Sequence, residues 1–103
     1  MAKKYHKLVR DKIPEIIENS GKSCETRVLS DEEYLQFLQE KLLEEVAEYR
    51  ESGSHEELAD ILEVVYALAE SIGCTREELL ACYEKKHAER GGFRDRVFLI
   101  GKE

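Results

Sequence analysis

The sequence has few cysteines and histidines, and their spacing argues against both a disulfide framework and a structural zinc site. Its three cysteines, Cys24, Cys74 and Cys82, lie far apart, with no CxxC pair and no histidine at zinc-ligand spacing. Scattered thiols of odd number do not build a disulfide framework, and structural zinc needs closely spaced ligands. We therefore expect three reduced thiols that pack as small apolar groups.

Long apolar runs are also absent. No stretch approaches the roughly 20 apolar residues that a membrane-spanning helix needs. The basic start MAKKYHKLVRDK has no apolar region of the kind found in secretory signals. Without repeats, low-complexity tracts or long linkers, the 103 residues predict a single domain, 1–103. The expected location is the cytoplasm, with no membrane partner.

The net charge of −7 is unevenly distributed. Residues 31–70 hold 13 acids and two bases, a charge of −11, whereas residues 1–30 carry +3 and residues 71–103 carry +1. An acidic centre between basic ends disfavours nucleic-acid binding. The same distribution suits a site in which the central acids bind a cation. Lysines and arginines from both ends of the chain would then contact the phosphates of the substrate. A solvated helix face rich in glutamate would give the same distribution.

Local start and stop signals predict a mainly α fold. Three helix starts show a hydroxyl followed three residues later by Glu, the capping-box pattern, at Ser30–Glu33, Ser54–Glu57 and Thr75–Glu78. They predict helices at about 31–51, 55–72 and 76–90, with Gly53 and Gly73 just beyond the first two ends. Pro14 and Gly21 bound a shorter helix at 14–19.

Two segments carry strand signals instead. Residues 24–29 and 94–100 alternate in character or contain β-branched residues beside turn signals. We expect them to meet in a small two-stranded β element at one end of an antiparallel helical bundle. Helix pairing this short rarely buries enough surface, which predicts a homo-oligomer with Leu38, Leu42, Val65 and Leu68 near its core.

Two acidic pairs share one spacing on neighbouring helices. At about 100° per residue, Glu45 falls inside the apolar arc of its helix and Glu57 inside that of the next. Glu48 and Asp60, one turn later, lie about 60° outside those arcs. A single such acid is usually a border residue that reaches water. Two pairs on antiparallel neighbours predict converging carboxylates, which repel one another unless a cation lies between them. Oxygen ligands at this spacing suit Mg²⁺, and a solvated helix border is the alternative.

These acids lie in motifs that resemble the MazG-like all-α nucleoside triphosphate pyrophosphohydrolases, a group that includes the phosphoribosyl-ATP pyrophosphohydrolases. The family pattern EExxE followed by ExxD reads LLEEVAEY and EELADILEVV here, with KLVRDKIPEII before it and KKHAERGGF after it. The resemblance covers most of the chain and is closest to a small stand-alone branch. Only eight residues separate Glu48 from Glu57, fewer than in many relatives, which leaves less protein to enclose a base.

The resemblance implies an α-helical bundle completed in a homodimer or homotetramer. It also implies Mg²⁺-dependent cleavage, with Mn²⁺ as the alternative ion, between the α- and β-phosphates of a nucleotide. The products would be a monophosphate and pyrophosphate, in a house-cleaning role. Carried over by position, the metal ligands and catalytic residues are Glu45, Glu48, Glu57 and Asp60. Glu44 is a weaker candidate because the helical wheel turns it towards solvent.

Substrate phosphates would need cations from outside the acidic centre. Lys86 and Arg90 share a face of the last helix, four residues apart, and Lys7, Arg10 and Lys12 are the candidates from the other end. Solvent-exposed charges are the alternative interpretation for each. Two other functions also fit the sequence: phosphoribosyl-ATP hydrolysis, and a non-catalytic helical interaction protein with an apolar binding groove.

Overall fold

Four helices make up the ordered elements of residues 6–103, the range that the computed structural model describes. They are α1 (Ile13–Asn19), α2 (Asp31–Ser52), α3 (His55–Ser71) and α4 (Arg76–Arg90). Every bound lies within one residue of its predicted position, so the mainly α prediction is confirmed. Over this range, no helix combines the length and apolar character needed to cross a membrane. The single-domain prediction also includes residues 1–5, which lie outside the described range.

The helix starts follow the capping signals, completely at α2. The Ser30 hydroxyl accepts a hydrogen bond from the Glu33 backbone N–H at 3.2 Å. The Glu33 carboxylate accepts one from the Ser30 N–H at 3.3 Å, which completes the capping box. At α4, the Thr75 hydroxyl accepts from the Glu78 N–H at 3.1 Å. These contacts satisfy backbone donors that the first helical turn would otherwise leave unpaired.

The start of α3 departs from the predicted capping box. Ser54 is the N-cap, but its hydroxyl accepts from the Glu56 N–H, at 3.1 Å, and not from the Glu57 N–H. The prediction of a Ser54–Glu57 capping box was therefore wrong in its partner. The difference matters for function, because the Glu57 carboxylate lies instead in the acidic cluster described below.

A two-residue connection, Gly53–Ser54, folds α2 and α3 into an antiparallel hairpin packed along its length. Gly53 has a left-handed backbone, with φ of 66°, and its N–H donates to the Tyr49 carbonyl at 2.7 Å. Glycine adopts this conformation without the steric cost that other residues meet. The tight reversal sets which levels of α2 and α3 face each other. α4 packs more lightly against α3.

The apolar core of the chain is small. Within residues 6–103, the buried apolar side chains are Leu38, Val64 and Ala69. Of the other residues predicted to be central, Leu42, Val65 and Leu68 are half-buried. The chain exposes 9789 Å², whereas a compact monomer of its mass would expose about 6,000 Å². Much apolar surface thus remains uncovered in a single copy.

The predicted two-stranded β element is not formed. Residues 24–29 and 94–100 lie outside regular structure, and Val28 and Val97 are 96% and 87% exposed. Residues 93–96 form a turn, closed by a 3.1 Å hydrogen bond from the Arg96 N–H to the Phe93 carbonyl. A segment with strand propensity forms a strand only where a neighbouring strand supplies backbone hydrogen bonds and one face of the sheet packs against other residues. Neither segment has such a neighbour among residues 6–103.

Candidate metal centre

Glu45 is a buried acid in the interface between α2 and α3. Its residue is 6% exposed, as expected from its place inside the apolar arc of α2. Its Oε1 atom lies 3.5 Å from the Lys41 Nζ atom, whereas its buried Oε2 atom has no hydrogen-bond partner. Buried polar atoms are nearly always paired in folded proteins. A carboxylate oxygen buried without such a partner is suited to bind a cation, or to share a proton with the adjacent Glu48 carboxylate.

Other carboxylates converge on Glu45 from both helices. One oxygen each from Glu45, Glu57 and Asp60 lies within 4.8 Å of the others, and the same holds for Glu44, Glu45 and Glu48. Glu45 therefore meets both acids of α3, as expected, whereas Glu48 groups with Glu44 and Glu45 along α2. Glu44 also belongs to the group, although the helical wheel had placed it towards solvent. We call these five residues the acidic cluster.

The acidic cluster is electrostatically unfavourable when it is fully ionised. Burial raises the pKa of the Glu45 carboxyl, and the neighbouring charge of Glu48 raises it further. Asp60 acts in the same direction, while Lys41 opposes the shift. A cation among these oxygens would favour the ionised form of every carboxylate at once. The cluster is thus organised to gain free energy from a bound positive ion.

The composition of the cluster restricts which ion fits. Its donors are all carboxylate oxygens, contributed from two rigid helices. Hard divalent cations such as Mg²⁺ prefer oxygen ligands, whereas zinc sites are typically built with histidine or cysteine. The unpaired Glu45 oxygen adds a donor that is already stripped of water. The residues present therefore fit Mg²⁺, with Mn²⁺ as an alternative.

Arg10 approaches the cluster from the segment before α1. Its Nη2 atom lies 2.6 Å from Asp60 Oδ1, and its Nη1 atom lies 3.4 Å from Glu63 Oε1. All three side chains are 39% to 52% exposed, so the ion pairs themselves add little stability. Their significance is positional. A direct ion pair to Asp60 holds Arg10, one of the predicted phosphate-binding residues, at the acidic cluster.

Within the described range, no ion pair joins Lys12, Lys86 or Arg90 to the cluster, and all three side chains are exposed. Lys7 and Lys12 lie on the same N-terminal segment as Arg10. Lys86 and Arg90 lie near the end of α4, where the whole last turn is exposed. One chain thus brings an N-terminal base to the acids while leaving the α4 bases facing solvent.

Sequence reasoning did not predict two charged residues that lie near the site. Lys41 lies 3.5 Å from both Glu44 Oε2 and Glu45 Oε1, and its side chain is only 19% exposed. Its position three and four residues before those acids was the available signal. Glu63 shares Arg10 with Asp60, three residues earlier on α3. No local pattern indicated that pairing, because Arg10 lies 53 positions away.

Comparison with known proteins gives one partial relative. The chain is 51% identical over 49 residues to an uncharacterized protein of Mycolicibacterium smegmatis. The aligned part covers 48% of this chain and 50% of that protein, so the match spans about half the length of the relative. No family model matches the chain, and no solved structure gives a significant match.

Proposed function

We propose that the protein is a Mg²⁺-dependent nucleotide pyrophosphohydrolase. It would hydrolyse the bond between the α- and β-phosphates of a nucleotide and release a monophosphate and pyrophosphate. The observation that carries the proposal is the buried Glu45, whose unpaired Oε2 atom lies within a cluster of carboxylates from two helices. The motif resemblance to the MazG-like pyrophosphohydrolases supplies the reaction class.

The cluster divides into residues that hold the ion and residues that handle water. Glu45, Glu57 and Asp60 would form one oxygen set, and Glu44 and Glu48 extend it along α2. When bound, Mg²⁺ neutralises phosphate oxygens and lowers the pKa of a bound water. Glu48 is exposed and adjoins Glu45, so it is placed to accept the proton of the attacking water.

Arg10 is the proposed first contact for the substrate. Its guanidinium already lies beside Asp60, at the edge of the cluster where phosphate oxygens would arrive. Arginine binds phosphate through two parallel N–H donors. We propose that the Arg10 guanidinium exchanges its carboxylate partners for the substrate phosphate, and that Asp60 would be among the residues that hold the ion. Lys7, Lys12, Lys86 and Arg90 complete the proposed set of phosphate ligands.

A homodimer or homotetramer is part of the proposal. The small core and the large exposed area of a single copy support it. An assembly would also allow the α4 bases of one copy to approach the cluster of another. The cytoplasm, where nucleotides and Mg²⁺ are available, is the proposed location, and removal of non-standard nucleotides is the proposed role.

A nucleotide panel scored for pyrophosphate tests the activity. The panel includes ribo- and deoxyribonucleoside triphosphates and phosphoribosyl-ATP, each with Mg²⁺ and with a chelator. Mg²⁺-dependent pyrophosphate release that disappears in Glu45→Gln and persists in Glu40→Gln is the expected result. Glu40 is the matched control because it is an exposed acid of α2 outside the cluster.

The same panel separates the alternatives. Turnover of phosphoribosyl-ATP alone would assign the enzyme to that narrower reaction. If no nucleotide is cleaved, and Mg²⁺ leaves the melting temperature unchanged, the pyrophosphohydrolase proposal is wrong. A non-catalytic helical interaction protein would then be the better interpretation.

A further inference from the structure

Residues 93–100 form an apolar segment that no other part of residues 6–103 covers. After Gly91 and Gly92, residues 93–100 carry five large apolar side chains; we call this segment the C-terminal arm. Their exposed fractions are 97% for Phe93, 87% for Val97, 86% for Phe98, 75% for Leu99 and 94% for Ile100. Contiguous apolar surface of this kind on a folded chain marks a contact site for another molecule.

The α2–α3 hairpin carries an uncovered apolar surface of its own. Leu43, Val46, Leu58 and Leu62 are 71%, 38%, 48% and 50% exposed. Leu43 and Val46 are three residues apart on α2, and Leu58 and Leu62 are four apart on α3, so each pair lies on one side of its helix. Because the helices are antiparallel and Glu45 lies level with Asp60, the two pairs lie on the same side of the hairpin. We call this surface the hairpin face.

The hairpin face lies opposite the acidic cluster. On the helical wheel, Leu43 and Val46 are about 140° and 160° round α2 from Glu48. Leu58 and Leu62 are both about 160° round α3 from Asp60. A molecule bound to the hairpin face therefore leaves the acidic edge open to a substrate.

We propose that the C-terminal arm of one copy packs on the hairpin face of a second copy, in a reciprocal exchange. Within one chain the arm and the face are both exposed, so they do not cover each other there. In a dimer with a two-fold axis, each arm covers the hairpin face of the other copy, so both arms and both faces are buried in a closed assembly. The proposal is independent of the nucleotide activity.

Length and charge agree with this partner. Eight extended residues span up to about 28 Å, which matches the shorter dimensions of the molecule, 32 and 25 Å. Residues 93–100 hold Arg94 and Arg96 against Asp95, a net charge of +1, whereas residues 31–70 carry −11. The weakly positive arm is therefore attracted to the acidic hairpin as a whole, which favours encounter without selecting the face that it binds.

The area available is also that of a stable dimer. The chain exposes 9789 Å², several thousand more than the roughly 6,000 Å² of a compact monomer of equal mass. Obligate dimer interfaces bury about 2,000 Å² or more in total. Covering two arms and two hairpin faces would draw on this excess without requiring the helices to rearrange.

A mixing experiment tests the exchange. Leu99→Glu damages the arm and Leu62→Glu damages the hairpin face, and both positions are exposed enough for the chain to fold. Sedimentation velocity should show self-association weakened at least about tenfold in each variant, equivalent to one decade in the dissociation constant. An equimolar mixture should associate more tightly than either variant alone, because each mixed dimer retains one undamaged arm on one undamaged face.

The control is Val28→Glu, the same kind of change at an even more exposed apolar position outside both surfaces. It should leave association unchanged, and circular dichroism should show the same helix content in all variants. A native chain that stays monomeric overturns the proposal, as does a mixture that associates no better than its components. A mixture that associates no better than its components is the result expected if each arm folded back onto the hairpin of its own chain. Equal weakening by Val28→Glu would also contradict it.

Discussion

The α2–α3 hairpin and the region after residue 79 are both helical for much of their length, yet they differ in what covers them. Every buried residue of the described range, Leu38, Glu45, Val64 and Ala69, lies in the hairpin. From Leu80 to Glu103 every residue is exposed. Local capping signals are thus enough to start α4, but beyond Leu79 they leave its apolar side chains exposed. The hairpin holds the acids, whereas the later region leaves its bases and apolar side chains exposed.

The largest expected effect comes from the centre of the hairpin. Glu45→Gln should lower pyrophosphate release at least about 100-fold, since removal even of groups that only orient metal ligands costs 10- to 100-fold. Steady-state kinetics with the best substrate of the panel measures it. Lys86→Ala, in the exposed region, should have the smaller effect. A larger loss in Lys86→Ala would reverse the proposed division of roles.

The same substitution should stabilise the metal-free protein. Folding raises the pKa of Glu45 by burial and by the charge of Glu48. A raised pKa favours folding below the unfolded-state value, and this contribution is lost as pH rises through the folded-state value. At neutral pH, Glu45→Gln should therefore melt at a higher temperature than the native chain, with the gap closing in acid. Thermal melts in the presence of a chelator measure this difference. A lower melting temperature for the variant at neutral pH would contradict the prediction.

Metal addition should reverse that order. Mg²⁺ should raise the melting temperature of the native chain by binding the folded state, and should leave Glu45→Gln unchanged. Glu40→Gln, outside the cluster, should respond like the native chain. Equal Mg²⁺ responses in all three proteins would place the ion somewhere other than the acidic cluster.

Arg10 should affect catalysis but not ion binding. Arg10→Gln removes the proposed phosphate contact and frees Asp60, so kcat/KM should fall about tenfold, the loss of one charge-assisted contact, while Mg²⁺ affinity stays equal or rises. Mg²⁺ titrations and kinetics on the same preparation measure both. Lys22→Gln, an exposed base after α1, is the control. Weaker Mg²⁺ binding in Arg10→Gln would show that the guanidinium supports the cluster instead.

The smallest effect should come from the helix caps, and it should again distinguish the two regions. Ser30→Ala at the start of α2 should lower the free energy of unfolding by about 1 kcal/mol, seen in denaturant melts. Thr75→Ala removes an equivalent cap from lightly packed α4. It should increase hydrogen exchange in α4 and barely shift the global transition. Equal global shifts would show that α4 unfolds together with the hairpin.

Acid titration should report the α2 cap separately. Hydrogen bonds from Arg27 and Ser30 lower the pKa of Glu33 to about 2. A lowered pKa stabilises the fold above the unfolded-state value, and this stabilisation is lost as pH falls through the folded-state value. The melting-temperature difference between the native chain and Glu33→Gln should therefore disappear towards pH 2. A difference unchanged by acid would exclude the charged form of Glu33 as its cause.

Sequence reasoning was accurate where the determining interactions are local. Ser30, Thr75 and Gly53 act within one helical turn, so the helix bounds could be predicted closely. The burial of Glu45 followed from helical periodicity alone. In contrast, the Arg10–Asp60 pair joins residues 50 positions apart, and no local pattern encodes it. The strand prediction was wrong for a related reason. Residues 24–29 and 94–100 have strand propensity, but no strand lies beside them within the described range to pair with their backbone.

The two-residue reversal at Gly53–Ser54 has a consequence for engineering. Surface loops usually accept added residues at little cost, but this connection joins helix ends that are already almost adjacent. One extra residue within the start of α3 would turn the following side chains by about 100° and shift them by about 1.5 Å. Glu57 and Asp60 would then leave the level of Glu45. Insertion tolerance should therefore be lowest at this short turn, although it lies on the surface.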